Sequence, residues 1–355
     1  MRQDGQWNLV MRAFSVFALV VAASWLANPV TGVHETARAV PEFDALLQEA
    51  AGRDGVDAVV IGSSVVRHHF RTDVLDAETP WTWHNLGLSA SFPPESYALA
   101  EAFLASPAAD SVALLVLDIL PFEAPHAENA KHLRRTWYMD AGELASCLSA
   151  LPWGSDFPRA WATGQTFLTS ALTHAIGWLR PEAWSAPARP ALVGRVAGWS
   201  PLDTLEPRSD ALHWAREDFL KQPTERLAGL RAEAADFDFR ASGAAPDPCV
   251  HWTCPPEELA YHLQRMADLR AAAATRGIRC VFLFQMLWGT NGCLYFEARD
   301  RWGAGEVIEL MGSNPGAGLH VRPHHYDGAH LTPSGATFIS QALATRLTPN
   351  PTPNR

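Results

Sequence analysis

Residues 57–67 read Asp57-Ala-Val-Val-Ile-Gly-Ser-Ser-Val-Val-Arg67, and the break in the middle of this stretch decides the fold. A short β-branched run, Val59, Val60 and Ile61, stops at Gly62 and two serines. A buried parallel strand reads this way when it delivers a side chain to the carboxyl edge of its sheet. Gly62 permits a tight turn where a Cβ would clash. A serine just past that turn stands at the crevice where open α/β sheets bind ligands.

Working outward, further strands are expected at residues 83–86, 111–120 and 278–287, the second of these being the most apolar and so the central one. Pro93 and Pro94 open a helix carrying Tyr97, Ala100, Phe103 and Leu104. Residues 256–276 have Leu259, Leu263, Met266 and Leu269 at helical spacing, with Gly277 as the stop. A glycine-rich loop and a helix at 305–311 are expected next. Thr332 then caps a closing helix whose first residue is Pro333 and whose buried stripe is Phe338, Ile339, Ala342, Leu343 and Leu347. The alternation of strand and helix predicts an α/β fold with a parallel sheet and right-handed crossovers.

The organisation read from composition is a leader at 1–33, a first part of the domain at 34–120, an insertion at 121–255, a second part at 256–348 and a polar tail at 349–355. The insertion is rich in Trp and Pro and is expected to be a mostly helical cap on the sheet's carboxyl edge. Its tryptophans fill an irregular core or stack on sugar rings. Nearly half of the 355 residues are hydrophobic, which suffices for a large core. A net charge of -10 argues against nucleic acid as a partner.

Arg2 and Arg12 precede a charge-free run at residues 13–33. It reads as a cleaved signal peptide or as an uncleaved signal anchor with Trp25 at the outer interface. The anchor fits better, because no small-x-small cleavage site follows. Either way the body lies outside the cytoplasm. Of the five cysteines, Cys249 and Cys254 are spaced to close a small ring in a Pro-rich loop, and Cys280 reads as a buried thiol. Zinc at Cys249, His251 and Cys254 has the wrong spacing for a common site.

Serine is a poor nucleophile until a base takes its proton and a third group orients that base. The chain offers a serine at a strand end and, in residues 326–335, Asp327 and His330 on a loop entering a helix. Gly62-Ser63-Ser64, Asn85-Leu86-Gly87 and Asp327-Gly-Ala-His330 together resemble the first, second and fifth blocks of the SGNH (GDSL-like) hydrolase superfamily. The resemblance covers residues 57–119 and 256–347 and implies a three-layer α/β/α fold. It implies Ser64 as nucleophile, His330 as base, Asp327 as its orienting carboxylate, and the Ser64 and Gly87 amides as oxyanion hole. No cofactor is implied. The third block departs from the family: Leu117-Asp118-Ile119 stands where many members carry Gly-x-Asn-Asp, so no side-chain amide is supplied there.

The Gly-Ser-Ser block, the amino-terminal anchor and the missing asparagine resemble one branch, the membrane-anchored proteins of the D-alanylation (DltD) and alginate or cellulose O-acetylation type. That branch implies a periplasmic protein, held by one helix on the outer face of the bacterial inner membrane, which passes an acyl group from a multi-pass membrane-bound O-acyltransferase to a polysaccharide. Cleavage of the leader would make it a secreted protein. A secreted esterase and a catalytically silent scaffold are the alternatives. Asp118, Asn85 and Arg67 are candidate substrate binders; Asp118 reads equally as structural and Arg67 as a helix-surface ion pair. His68 and His69 read as surface or packing residues. The cluster of His320, His324, His325 and His330 lacks helical ligand spacing, so no metal is expected.

Overall fold

The computed structural model describes residues 41–88, 91, 93–120, 141–176, 199, 202, 255–285, 292–310, 324–326 and 330–348. The apolar run at 13–33, the tail at 349–355 and Asp327 lie outside them, as do Cys249 and Cys254. Among the described residues no helix is long and apolar enough to cross a membrane.

The elements follow in order: α1 (Pro41–Ala51), β1 (Ala58–Gly62), α2 (Ser64–His69), α3 (Thr72–Glu78), β2 (Trp83–Gly87), α4 (Pro93–Ala105) and β3 (Leu114–Asp118). Then come α5 (Ala141–Ser149), α6 (Phe157–Ile176), α7 (Pro256–Thr275), β4 (Arg279–Phe284), α8 (Gly292–Trp302), β5 (Val307–Glu309) and α9 (Pro333–Leu347). The chain divides into two compact units. One holds α5 and α6, which pack on each other; the other holds the sheet and the helices around it.

The sheet is five-stranded and wholly parallel, in the order β2-β1-β3-β4-β5. Strands β1, β2 and β3 are buried at every position; β1 and the first four residues of β3 run apolar without alternation for that reason, while β2 buries His84 and Asn85. β3 is central, as its composition predicts. Helices α4 and α8 each pack against α7, while α9 packs against α2 and α3. Two helix groups around one parallel sheet are compatible with three α/β/α layers. The chain leaves β1 toward β2 and leaves β3 toward β4, in opposite directions across the sheet. The carboxyl ends of β1 and β3 therefore flank the topological switch point, where such sheets bind ligands.

The helix ends obey their sequence signals. Gly277 takes φ +73° immediately after α7, a conformation only glycine adopts cheaply. The Thr332 hydroxyl accepts from the Gly335 amide at the start of α9. One expected element is wrong. The helix expected at 305–311 is strand β5, paired in parallel with β4. Val307 and Ile308 are β-branched and buried, and the local helix lies earlier, as α8.

The cysteines divide by environment. Cys147 and Cys280 are buried free thiols. Burial, reinforced by the Glu306 charge, pushes the Cys280 thiol up to about 12, so it is inert at neutral pH. Cys293 is disulfide-bonded, which the reading that joins Cys249 to Cys254 does not anticipate.

Gly62 sits where β1 turns into α2, and a Cβ added there would lie 2.9 Å from the Asp118 Cβ and inside the Val66 side chain. Gly62→Ala is therefore expected to destabilise the protein by about 1–3 kcal/mol through overpacking. Urea unfolding checks this, and an unchanged midpoint would show that the turn has slack.

Candidate active site

Ser63 is the N-cap of α2: its backbone is extended (φ -84°, ψ -164°) and its hydroxyl accepts from the Val65 amide at 3.2 Å. Ser64 is consequently the first helical residue, at the carboxyl edge of β1. Its own N–H belongs to the first turn, where no intrahelical carbonyl can reach it. Its Oγ lies 3.1 Å from His330 Nε2, across 266 positions of sequence. Both residues are half-buried and so remain reachable, while β1 behind them is fully buried.

His330 is delivered by a short closed loop. The Tyr326 amide donates to the His330 carbonyl at 2.9 Å, and the Thr332 amide donates to the His324 carbonyl at 2.9 Å. His324 is fixed in turn by Ser334, 3.0 Å from its Nδ1, and by stacking on Phe338. Gly335 is required here because a Cβ would collide with the His324 carbonyl oxygen. The His330 ring also meets the edge of His68 at 5.2 Å between centroids. His68 and His69 are both buried, at 6% and 0% exposure, so they are packing residues and not surface ones. Asp327 lies outside the described residues, and the described geometry is a Ser–His pair.

Two expected site residues do other work. Asn85 is fully buried; its amide nitrogen donates to the Val66 and Phe70 carbonyls at 2.8 and 2.9 Å, and its oxygen accepts from the Gly87 amide at 2.8 Å. It clamps the end of α2 to β2, and a side chain so engaged does not reach substrate. The Gly87 amide, committed to Asn85, is likewise not free to serve as the expected oxyanion donor. Gly87 instead makes room for α2, since a Cβ there would fall on the Arg67 backbone. Arg67 is half-buried on α2, one turn past Ser64.

Asp118 ends β3, on the other side of the switch point. It is 2% exposed, and neither carboxylate oxygen has a well-formed hydrogen bond. Burial pushes its carboxyl up to about 7, and the Gln285 amide, too loosely placed for a good bond, only tempers the rise. Gln285 turns its oxygen to His69 Nδ1, 3.0 Å away. A polar line of His69, Gln285 and Asp118 thus runs buried behind the Ser64 edge. Trp199, one of the insertion's tryptophans, is buried, in keeping with the core-filling reading; it donates its Nε1–H to the His68 carbonyl at 3.2 Å and lies under the Arg71 guanidinium. Two further residues, Gln285 and Arg71, escape sequence reasoning: neither has a local signal, because each joins segments far apart in the chain. Among the described residues no cluster of side chains could hold a metal ion.

No protein-family model matches the chain, and no curated protein or solved structure matches it either.

Two outcomes follow from this geometry. Asn85→Ala strips partners from the α2 carbonyls and the Gly87 amide and should cost about 2–4 kcal/mol in urea unfolding, given the price of orphaned buried groups. Asp118 makes stability depend on pH. The unfolded carboxyl ionises near 3.8, whereas the folded one keeps its proton to about 7. Between those values the folded state holds the extra proton, so stability falls as pH rises, by at most roughly 4 kcal/mol in total. Asp118→Asn, neutral throughout, should resist urea better than the parent above about pH 7 and match it near pH 4. Parallel pH profiles for parent and variant would refute the assignment.

Proposed function

We propose that the protein is a serine acyltransferase of the SGNH type, anchored on the outer face of the inner membrane, that transfers an acyl group to a polysaccharide hydroxyl. The observation that carries the reading is the 3.1 Å approach of Ser64 Oγ to His330 Nε2 at the switch-point edge of a parallel sheet. Two half-exposed residues so distant in sequence meet at the one edge where such sheets do chemistry. The departure in the third block, the anchor-like leader and the likeness to acyl-transfer proteins of the cell surface choose transfer over hydrolysis.

In the tautomer with its proton on Nδ1, His330 accepts the Ser64 hydroxyl hydrogen at Nε2. As Ser64 Oγ bonds to the donor's carbonyl carbon, His330 takes that proton. The oxyanion forms against the Ser64 N–H. The C–O or C–S bond to the carrier breaks, the leaving group takes the proton from His330, and an acyl-serine remains. A polysaccharide hydroxyl then attacks while His330 receives its proton, and Ser64 leaves with that proton restored. Asp327, three residues before the base, is assigned to steady the imidazolium. The membrane-bound O-acyltransferase of the resembled systems is the assigned donor partner.

The test is labelling of the detergent-solubilised chain with a fluorophosphonate or an activated acyl ester, followed by peptide mass mapping. The adduct should sit on Ser64, vanish in Ser64→Ala and form about 10²–10⁴-fold more slowly in His330→Ala. The acyl-enzyme should persist in buffer and decay faster with a polysaccharide acceptor. Fast decay in buffer alone would make the protein an esterase, and a folded chain that never labels would remove the nucleophile.

A further inference from the structure

All the large hydrophobic side chains that are exposed among the described residues lie on α6 or the turn before it: Trp153 (39%), Phe157 (58%), Trp161 (52%) and Leu168 (49%). Phe157, Trp161 and Leu168 fall at i, i+4 and i+11, which is one stripe of a helix. Trp153 joins its near end, its ring 6.2 Å from Phe157, and Phe157 stacks on Trp161 at 6.2 Å. The inward face of the same helix buries Ala160, Phe167 and Ala171 together with Thr163, Thr166 and Ser170. The helix thus has two apolar faces, one packed inward and one exposed. A surface turned entirely to water does not select for that arrangement.

The exposed residues of α6 itself carry no charge: beside the rings they are Pro158, Ala162 and Gln165, and Arg159 is half-buried. Ser155 and Asp156 are exposed at the margin, in the turn before the helix, where the Asp156 carboxylate accepts from the Arg159 amide. A sugar-binding aromatic platform needs polar groups along the rings to meet hydroxyls, and along the helix Gln165 alone is exposed to offer one. Apolar rings with tryptophan among them and polar groups only at the margin suit the boundary between headgroups and acyl chains. Distance agrees. Residues 41–44 of α1 belong to the same compact unit as α6. Seven residues, 34–40, separate them from the apolar run at 13–33, a tether of at most about 25 Å.

We infer that the outward face of α6, made of Phe157, Trp161 and Leu168 with Trp153 at its start, docks into the surface of a phospholipid bilayer. The inference rests on the anchored reading of residues 13–33, which supplies the bilayer at tether's length. Docking would fix the orientation of this unit on the membrane, beyond what a single anchor achieves.

The test uses the full chain in vesicles of phosphatidylethanolamine and phosphatidylglycerol. A photoreactive benzophenone side chain replaces Trp161, Leu168 or, as a control on the exposed side of α8, Asp300. Unchanged thermal unfolding by circular dichroism verifies the fold of each variant. Flotation after an alkaline wash reports the anchor, and the mass of the irradiated products reports what the face touches. Lipid adducts at 161 and 168, absent at 300, are expected. A chain that floats but gives no lipid adduct at either position, or gives adducts to a second copy or another protein, overturns the docking and leaves the anchor standing. Adducts without retention through the wash would support docking and refute the anchor. A chain that neither floats nor reacts with lipid refutes both.

Discussion

The close approach of α2 to the edge of the sheet is the constraint on which the rest depends. Gly62 and Gly87 are register partners at the ends of β1 and β2, and each lacks the Cβ that would strike α2, at Val66 and at the Arg67 backbone respectively. Two missing side chains let a helix backbone settle on the sheet. Asn85 then holds its far end by the Val66 and Phe70 carbonyls, and Ser63 fixes its near end. A six-residue helix has little stability of its own. Here the sheet dictates its place to within the slack of three buried hydrogen bonds, so Ser64 is presented by rigid structure and not by a free loop.

His330 is brought to Ser64 by a second set of contacts, centred on the connection between α2 and α3. The Arg71 amide donates to Ser340 Oγ and its Nη1 to Thr337 Oγ1, both at 2.9 Å. Ser340 Oγ also reaches the His69 carbonyl at 3.4 Å. These bonds tie α9 to the end of α2, and the loop that carries His330 enters α9 directly. The Arg71–Asp73 ion pair, half open to water, adds little beside them. Because these bonds join α2 and α9, the entropy of joining residues 64 and 330 is spread over the whole helix pair and not spent on the Ser64–His330 contact alone.

What could be read in the sequence follows from how local each cause is. β1, β3 and β4 were legible because burial on both faces leaves a nearly unbroken apolar run, and the start of α9 because Thr332-Pro333 is a local cap signal. Ser64 and His330 were legible as residue types at a strand end and a helix entry. Asn85 was misread because its spacing to Gly87 is the same whether the pair serves substrate or backbone; only the arrival of α2 decides. β5 was misread because three residues carry too little pattern to separate strand from helix. The burial of His68 and His69 depends on Trp199, Gln285 and α9, none of which is near them in sequence.

The chain breaks the ordinary burial rule in two opposite ways, and the two breaks have different physical meanings. Behind the Ser64 edge it buries Asp118, Gln285 and His69 in one line, and between α4 and α7 it buries Tyr97 against His262 at 2.5 Å. A core built for stability alone would fill those positions with aliphatic side chains. Asp118 in particular, its carboxyl pushed up to about 7 by burial, costs the folded state stability as pH rises toward neutrality. Such costs persist where a site needs a shaped polar environment. On α6 the error runs the other way, with Phe157, Trp161 and Leu168 exposed to solvent. A carboxyl buried behind Ser64 and an aromatic face turned outward are both unstable choices for an isolated molecule in water. Each becomes reasonable under the proposed function and docking, with an acyl donor at the first and lipid at the second.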